Sequence, residues 1–134
     1  MAKVQLRNEI LFKAPARIGL LADVADALSG AGVDIIAIGA YDKAEMGEFL
    51  LLTSDNRVSG EALGALGGEV DITPVVVVEV PNEPGMLAKV ARRISDAGLN
   101  VSQIHATTTE GAGMAQIIMR TDDEPAVVDL LADL

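Results

Sequence analysis

The stretch whose residue types best fit a chemical task is Pro81-Asn82-Glu83-Pro84-Gly85-Met86-Leu87. Pro84 presets a turn, and Gly85 lets a backbone or a ligand approach closely. A helix starting here offers free backbone N–H groups and the positive end of its dipole, which suits a carboxylate such as that of a free amino acid. Two readings fit these residues: a seat for an anion, or an ordinary turn at a helix start. A related turn, Pro15-Ala16-Arg17-Ile18-Gly19, lies earlier in the chain. It keeps the glycine but has Ala16 for Asn82 and Ile18 for Pro84. Arg17 could meet a ligand carboxylate or sit solvated at the surface.

Other candidates carry less. His105 is the only histidine, and the chain has no Cys, so a transition-metal site has too few soft ligands. Ser102, Gln103 and Thr107-Thr108-Thr109 could hydrogen-bond a side chain, or be plain strand-edge residues. Asp122-Asp123-Glu124 reads as a solvated helix start. No nucleophile, base and orienting group can be assembled, so catalysis is not expected and no catalytic residue is assigned.

The net charge is −10, from 20 acidic and 10 basic residues. Both halves are acidic: residues 1–66 hold 6 basic and 9 acidic residues, the remainder 4 and 11. Neither half supplies the positive field a phosphate backbone requires. Aromatics are 2% of the chain, so a base-stacking platform is missing too. Nucleic acid is thus not an expected partner. No apolar run is long enough for a bilayer, and the start has no signal-like apolar region, so a cytoplasmic, membrane-free protein is expected.

These residues are positioned by a repeat. A shift of 66 aligns 3–57 with 69–123 without a gap and gives thirteen identical pairs, among them Pro15/Pro81, Gly19/Gly85, Leu21/Leu87, Val24/Val90, Gly32/Gly98, Ile38/Ile104 and Gly47/Gly113. Each copy starts with a β-rich run, 9–14 or 75–80, that stops at a proline. A helix follows, with Leu21, Val24, Leu28 and Ala31, or Leu87, Val90, Ile94 and Ala97, on one face, closed by Gly32 or Gly98. Second strands are expected over 33–41 and 99–107, third strands over 48–53 and 114–121, and short helices over 59–66 and 124–134. This order is the α+β, ferredoxin-like βαββαβ arrangement, with antiparallel sheets and helices on one face. The other face should be bare, which argues for a homodimer. Domain boundaries of 1–68 and 69–134 follow. The second copy stops inside its last helix, and 3–7 matches 69–73. Long central strands, 3–14 and 69–80, are therefore expected to be shared between the units. Residues 3–7 would close the second unit, with Val4 and Leu6 entering its core.

Asn82-Glu83-Pro84-Gly85-Met86-Leu87, then Val90, Ile94, Ala97-Gly98-Leu99-Asn100-Val101 and Ile104, resembles the ACT-domain pattern, and the first copy is similar in its skeleton. The whole chain resembles stand-alone tandem ACT proteins. The resemblance implies ligand binding through the first turn and the start of the second strand: Asn82, Glu83, Pro84, Gly85, Met86, Leu87, Asn100, Val101, Ser102, Gln103 and Ile104, with Arg17 and Gly19 in the first copy. It also implies an amino-acid or other small ligand, no cofactor or metal, and regulation of a metabolic enzyme. The alternative is a structural or protein-interaction module with no small ligand.

Overall fold

The computed structural model describes residues 3–134; Met1 and Ala2, with which the expected first domain begins, lie outside the described residues. The elements run β1 (Lys3–Pro15), α1 (Leu20–Gly30), β2 (Ile35–Lys43), β3 (Met46–Thr53), α2 (Asn56–Gly64), β4 (Glu69–Pro81), α3 (Met86–Asp96), β5 (Val101–Thr107), β6 (Met114–Thr121) and α4 (Glu124–Leu131). The chain forms two compact units: Asn8–Thr73, called here the first unit, and Pro74–Leu134 together with residues 3–7, the second. β1 and β4 therefore each contribute to both. Strand order is β2-β3-β1-β4 in the first unit and β1-β4-β6-β5 in the second.

Apolar alternation builds the core of each unit. Ile10, Phe12 and Ala14 of β1 face Leu20, Val24 and Leu28 of α1, with Phe49, Leu51 and Leu63 closing the cluster. In the second unit Val76, Val78 and Val80 take the same places against Val90 and Ile94, with Ile117, Met119, Val127 and Leu131. The Phe12 and Phe49 rings sit 5.9 Å apart and tilted, a favourable aromatic contact. Gly68 is required by packing: a Cβ there would stand 2.4 Å from the Lys13 carbonyl and 2.6 Å from the Phe12 ring.

The helix ends follow the expected chemistry. Gly32 (φ 71°) and Gly98 (φ 77°) are left-handed just past α1 and α3. The second helix of each unit begins on an aspartate cap: Asp55 accepts from the Val58 N–H and Asp123 from the Ala126 N–H, both at 3.1 Å. Asp55 starts α2 three residues before the expected position, and α4 stops at Leu131 rather than 134.

Three expectations need correction. The ungapped shift of 66 holds only through the first helix and second strand. Pro15 pairs with Met46, but Pro81 pairs with Met114, so the third strands correspond at 68. The second hairpin is two residues longer than the tight β2–β3 turn, whose Ala44 and Glu45 both have positive φ. Gly47 and Gly113 are not equivalent; Met46/Met114, Thr53/Thr121, Asp55/Asp123 and Leu63/Leu131 are. Secondly, the face away from the helices is not bare. Glu9, Leu52, Val75, Val77 and Ile118 all point away from the helix-side clusters and are at most 2% exposed. That face supplies no case for a dimer. Thirdly, Val4 packs on the second-unit core, but Leu6 is 50% exposed, as is its counterpart Ile72 at 51%.

Deleting residues 1–7 removes a strand from the second unit and uncovers Val4's place in its core. The expected loss is about 2–4 kcal/mol, from one half-buried valine plus ladder hydrogen bonds. Denaturant melts with hydrogen exchange resolved by residue should place the loss first at Val76 to Val80; rapid native exchange at Val4 to Leu6 in the intact chain would contradict it.

Candidate functional site

The Gly85 turn is built from its flanks inward. The Asn82 N–H donates to the Gly113 carbonyl at 2.9 Å, and the Asn82 amide donates to the Ala112 carbonyl at 3.0 Å. Asn82 thus ties the turn to the β5–β6 loop. The Glu83 N–H closes on the Pro81 carbonyl at 2.9 Å, and Met86 N–H reaches back to the Glu83 carbonyl at 3.4 Å. Gly85 itself is left-handed (φ 90°, ψ −5°), and α3 has no side-chain cap. Open space lies where its Cβ would be. An exposed, uncapped helix start can accept a carboxylate.

The second-strand candidates are fixed by the other end of the unit. The Asn100 N–H donates to the Asp122 carboxylate at 2.8 Å, and its carbonyl accepts from the Asp122 N–H at 3.1 Å. A bulge between Val101 and Gln103 then breaks the alternation. It turns both Val101 and Ile104 to the helix side, where with Leu87, Val90, Ala91 and Met119 they line an apolar hollow of about 270 Å³. Ser102 instead donates to the Arg120 carbonyl at 3.3 Å, and Gln103 and His105 are half-buried.

The structure therefore divides the candidates. Leu87, Val101 and Ile104 meet in the apolar hollow. Gly85 and Met86 line a different hollow of about 570 Å³, shared with Lys89, Arg92 and Arg93. Those three cations were not singled out in the sequence; the available signal was their spacing on one helical face. In the first unit, Arg17 and Gly19 line a 350 Å³ hollow with Tyr41 and Asp42. Gly19 matches Gly85 closely (φ 88°, ψ −2°). Arg17, however, is held by the Asp23 carboxylate of the first helical turn. The two turns share a backbone and differ in what stands over it.

Among the described residues no cluster of His, Cys, Asp and Glu could hold a metal ion, and no helix is long and apolar enough to cross a membrane.

Residues 74–134 match the family model of the ACT domain; the model matches this one segment, and the first repeat is not matched. No curated protein matches the chain. Several solved structures share its fold, three of them as follows. A protein from Bacteroides thetaiotaomicron is 22% identical, with a TM-score of 0.87, covering 97% of this chain and 89% of its own. The ligand-free regulatory subunit of aspartate kinase from Thermus thermophilus is 20% identical, with a TM-score of 0.69, covering 96% and 94%. The corresponding subunit from Thermus flavus is 20% identical, with a TM-score of 0.63, covering 98% and 94%.

One charge contact beside the Gly85 turn can be read in solution. The Arg93 guanidinium donates to Asp133 and to the Leu130 carbonyl, and its hydrogen bond and charge hold the Asp133 carboxyl below the usual carboxylate range. The stabilisation this gives is complete above the ordinary carboxylate pKa and disappears as pH falls through the lowered one. In Arg93→Ala, carboxyl NMR titration should show Asp133 moving up towards the ordinary range.

Proposed function

We propose that this protein is a tandem ACT regulatory protein, without catalytic activity, that senses a small molecule, an amino acid, in the cytoplasm and passes the signal to a metabolic enzyme. The observation that carries the reading is the uncapped, left-handed Gly85 turn at the head of α3, with the apolar hollow of Leu87, Val101 and Ile104 on the same helix and the adjoining strand. The uncapped first turn of α3 suits the carboxylate, and the hollow suits an aliphatic side chain. Asn82, Glu83 and Pro84 shape the turn; Asn100, Ser102 and Gln103 hold the start of β5 in place. Likeness to regulatory subunits of aspartate kinase supports a regulatory role. The first unit, with Arg17 occupied by Asp23, serves as scaffold.

Assembly as a homodimer belongs to the same proposal, on different ground from a bare sheet face. β2 and β5 are the terminal strands, and Ile38 (42%) and Ile104 (46%) are exposed on them at equivalent positions. Leu21 (59%) and Leu87 (49%) are exposed at equivalent places on the neighbouring helices. Edge strands with exposed apolar side chains are readily covered by another chain.

Binding is tested by a thermal-shift screen of the twenty amino acids, since a ligand specific for the native state raises apparent stability. Gly85→Asp should abolish the response to the best ligand, and Gly19→Asp should preserve it. The two glycines have nearly the same φ, so the backbone strain of the two variants is matched. An unchanged response in folded Gly85→Asp places the ligand elsewhere.

The dimer is tested by light scattering at tens of micromolar, where about twice the 13.9 kDa chain mass is expected. A mass near 14 kDa would count against a stable dimer.

A further inference from the structure

A hollow of about 570 Å³ in the second unit is lined by Gly85, Met86, Ala88, Lys89, Arg92, Arg93 and Leu134. It lies on the side of α3 that carries Lys89, Arg92 and Arg93, not on the side of Leu87, Val101 and Ile104. We propose that it is a second ligand site, sharing the Gly85 turn with the amino-acid seat but extending along the other side of α3, for a nucleotide-sized organic phosphate.

Charge placement is the first ground. Three of the chain's ten basic residues stand around this one hollow, in a protein of net charge −10. Arg93 is fixed on the rim by Asp133 and the Leu130 carbonyl. Lys89 and Arg92 enter no ion pair among the described residues, although Asp96 lies one turn on from Arg92. Like charges at this helical spacing repel, so the cluster costs the helix stability unless an anion enters.

The second ground is the repeat itself. At the corresponding positions α1 has Asp23, Asp26 and Ala27, so the same helix packs on the same sheet with the opposite charge. The fold does not need these cations. The third ground is shape. The hollow is open to solvent and wider than an inorganic anion fills, and Met86, Ala88 and Leu134 give it an apolar side. The Arg92 guanidinium and the Lys89 ammonium, beside apolar side chains and next to an Arg93 that already holds Asp133, suit a phosphate group carried on an organic body.

Calorimetry on the full chain tests this, with magnesium-free adenosine triphosphate, pyrophosphate and tricarballylate as probes. Adenosine triphosphate should bind saturably. Lys89→Ala/Arg92→Ala should weaken it at least tenfold, and Arg57→Ala, which removes an exposed cation of the first unit, should leave it unchanged. Pyrophosphate, lacking the apolar body, and tricarballylate, lacking phosphate, should each bind at least tenfold more weakly. Affinity should fall as salt rises. The amino-acid thermal shift should survive in the double variant, which separates this site from the Gly85 seat. No saturable binding, equal loss in Arg57→Ala, or full affinity in the double variant overturns the proposal. Equal binding of either comparison probe overturns the ligand class. A double variant altered only in its association state would make the hollow a protein interface and overturn it as well.

Discussion

A four-stranded sheet under two helices has to be closed on its fourth strand, and in this chain the first unit closes in chain order while the second takes its closing strand from the start of the chain. Residues 69–73 belong with the first unit and 3–7 with the second, so β1 and β4 are each long enough to serve twice. The apolar alternation of both strands follows from that demand. Ile10, Phe12 and Ala14 feed one core and Val76, Val78 and Val80 the other, with Val70 and Val4 contributed from the far ends of the same strands. A thirteen-residue strand is long by ordinary standards.

On this common frame the two units have diverged in charge and in turn chemistry rather than in backbone. Gly19 and Gly85 take the same left-handed conformation, and the helices after them have equal length. What differs is polar dressing: Arg17 bridged to Asp23 in one, and a turn tied down by Asn82 and left open in the other. Backbone geometry is therefore the shared inheritance of both turns. Their chemistry is set by a few side chains that contribute nothing to the core.

Much of the architecture was legible because it rests on local rules. Prolines end the first strands and glycines end the first helices, and of the expected helix faces Val24, Leu28, Val90 and Ile94 are buried, whereas Leu21, Ala31, Leu87 and Ala97 are exposed. The hairpin was not legible in the same way. Gly47 and Gly113 align by letter, but only the strand pairing reveals that two residues were inserted before Met114. Exposure was hard to read as well. Leu6 and Ile72 look like core residues by alternation, yet half of each remains exposed. At the candidate site the sequence gave no sign that the Asn82 amide donates to the Ala112 carbonyl and ties the turn to the β5–β6 loop. The bulge that brings Ile104 round to Val101 is a tertiary event without a residue signature.

The exchange of terminal strands also governs the order in which the molecule can form. Residues 8–73 are consecutive, so the first unit can collapse as soon as they exist. Residues 3–7 belong to a sheet whose other strands begin at Pro74, roughly seventy residues later. During synthesis this segment must wait, unpaired, until its neighbours emerge. Long-range closure of this kind slows folding and exposes strand edges while it lasts. The charged and polar residues Lys3, Gln5 and Arg7, alternating with Val4 and Leu6, would keep such a waiting strand from pairing with the wrong edge.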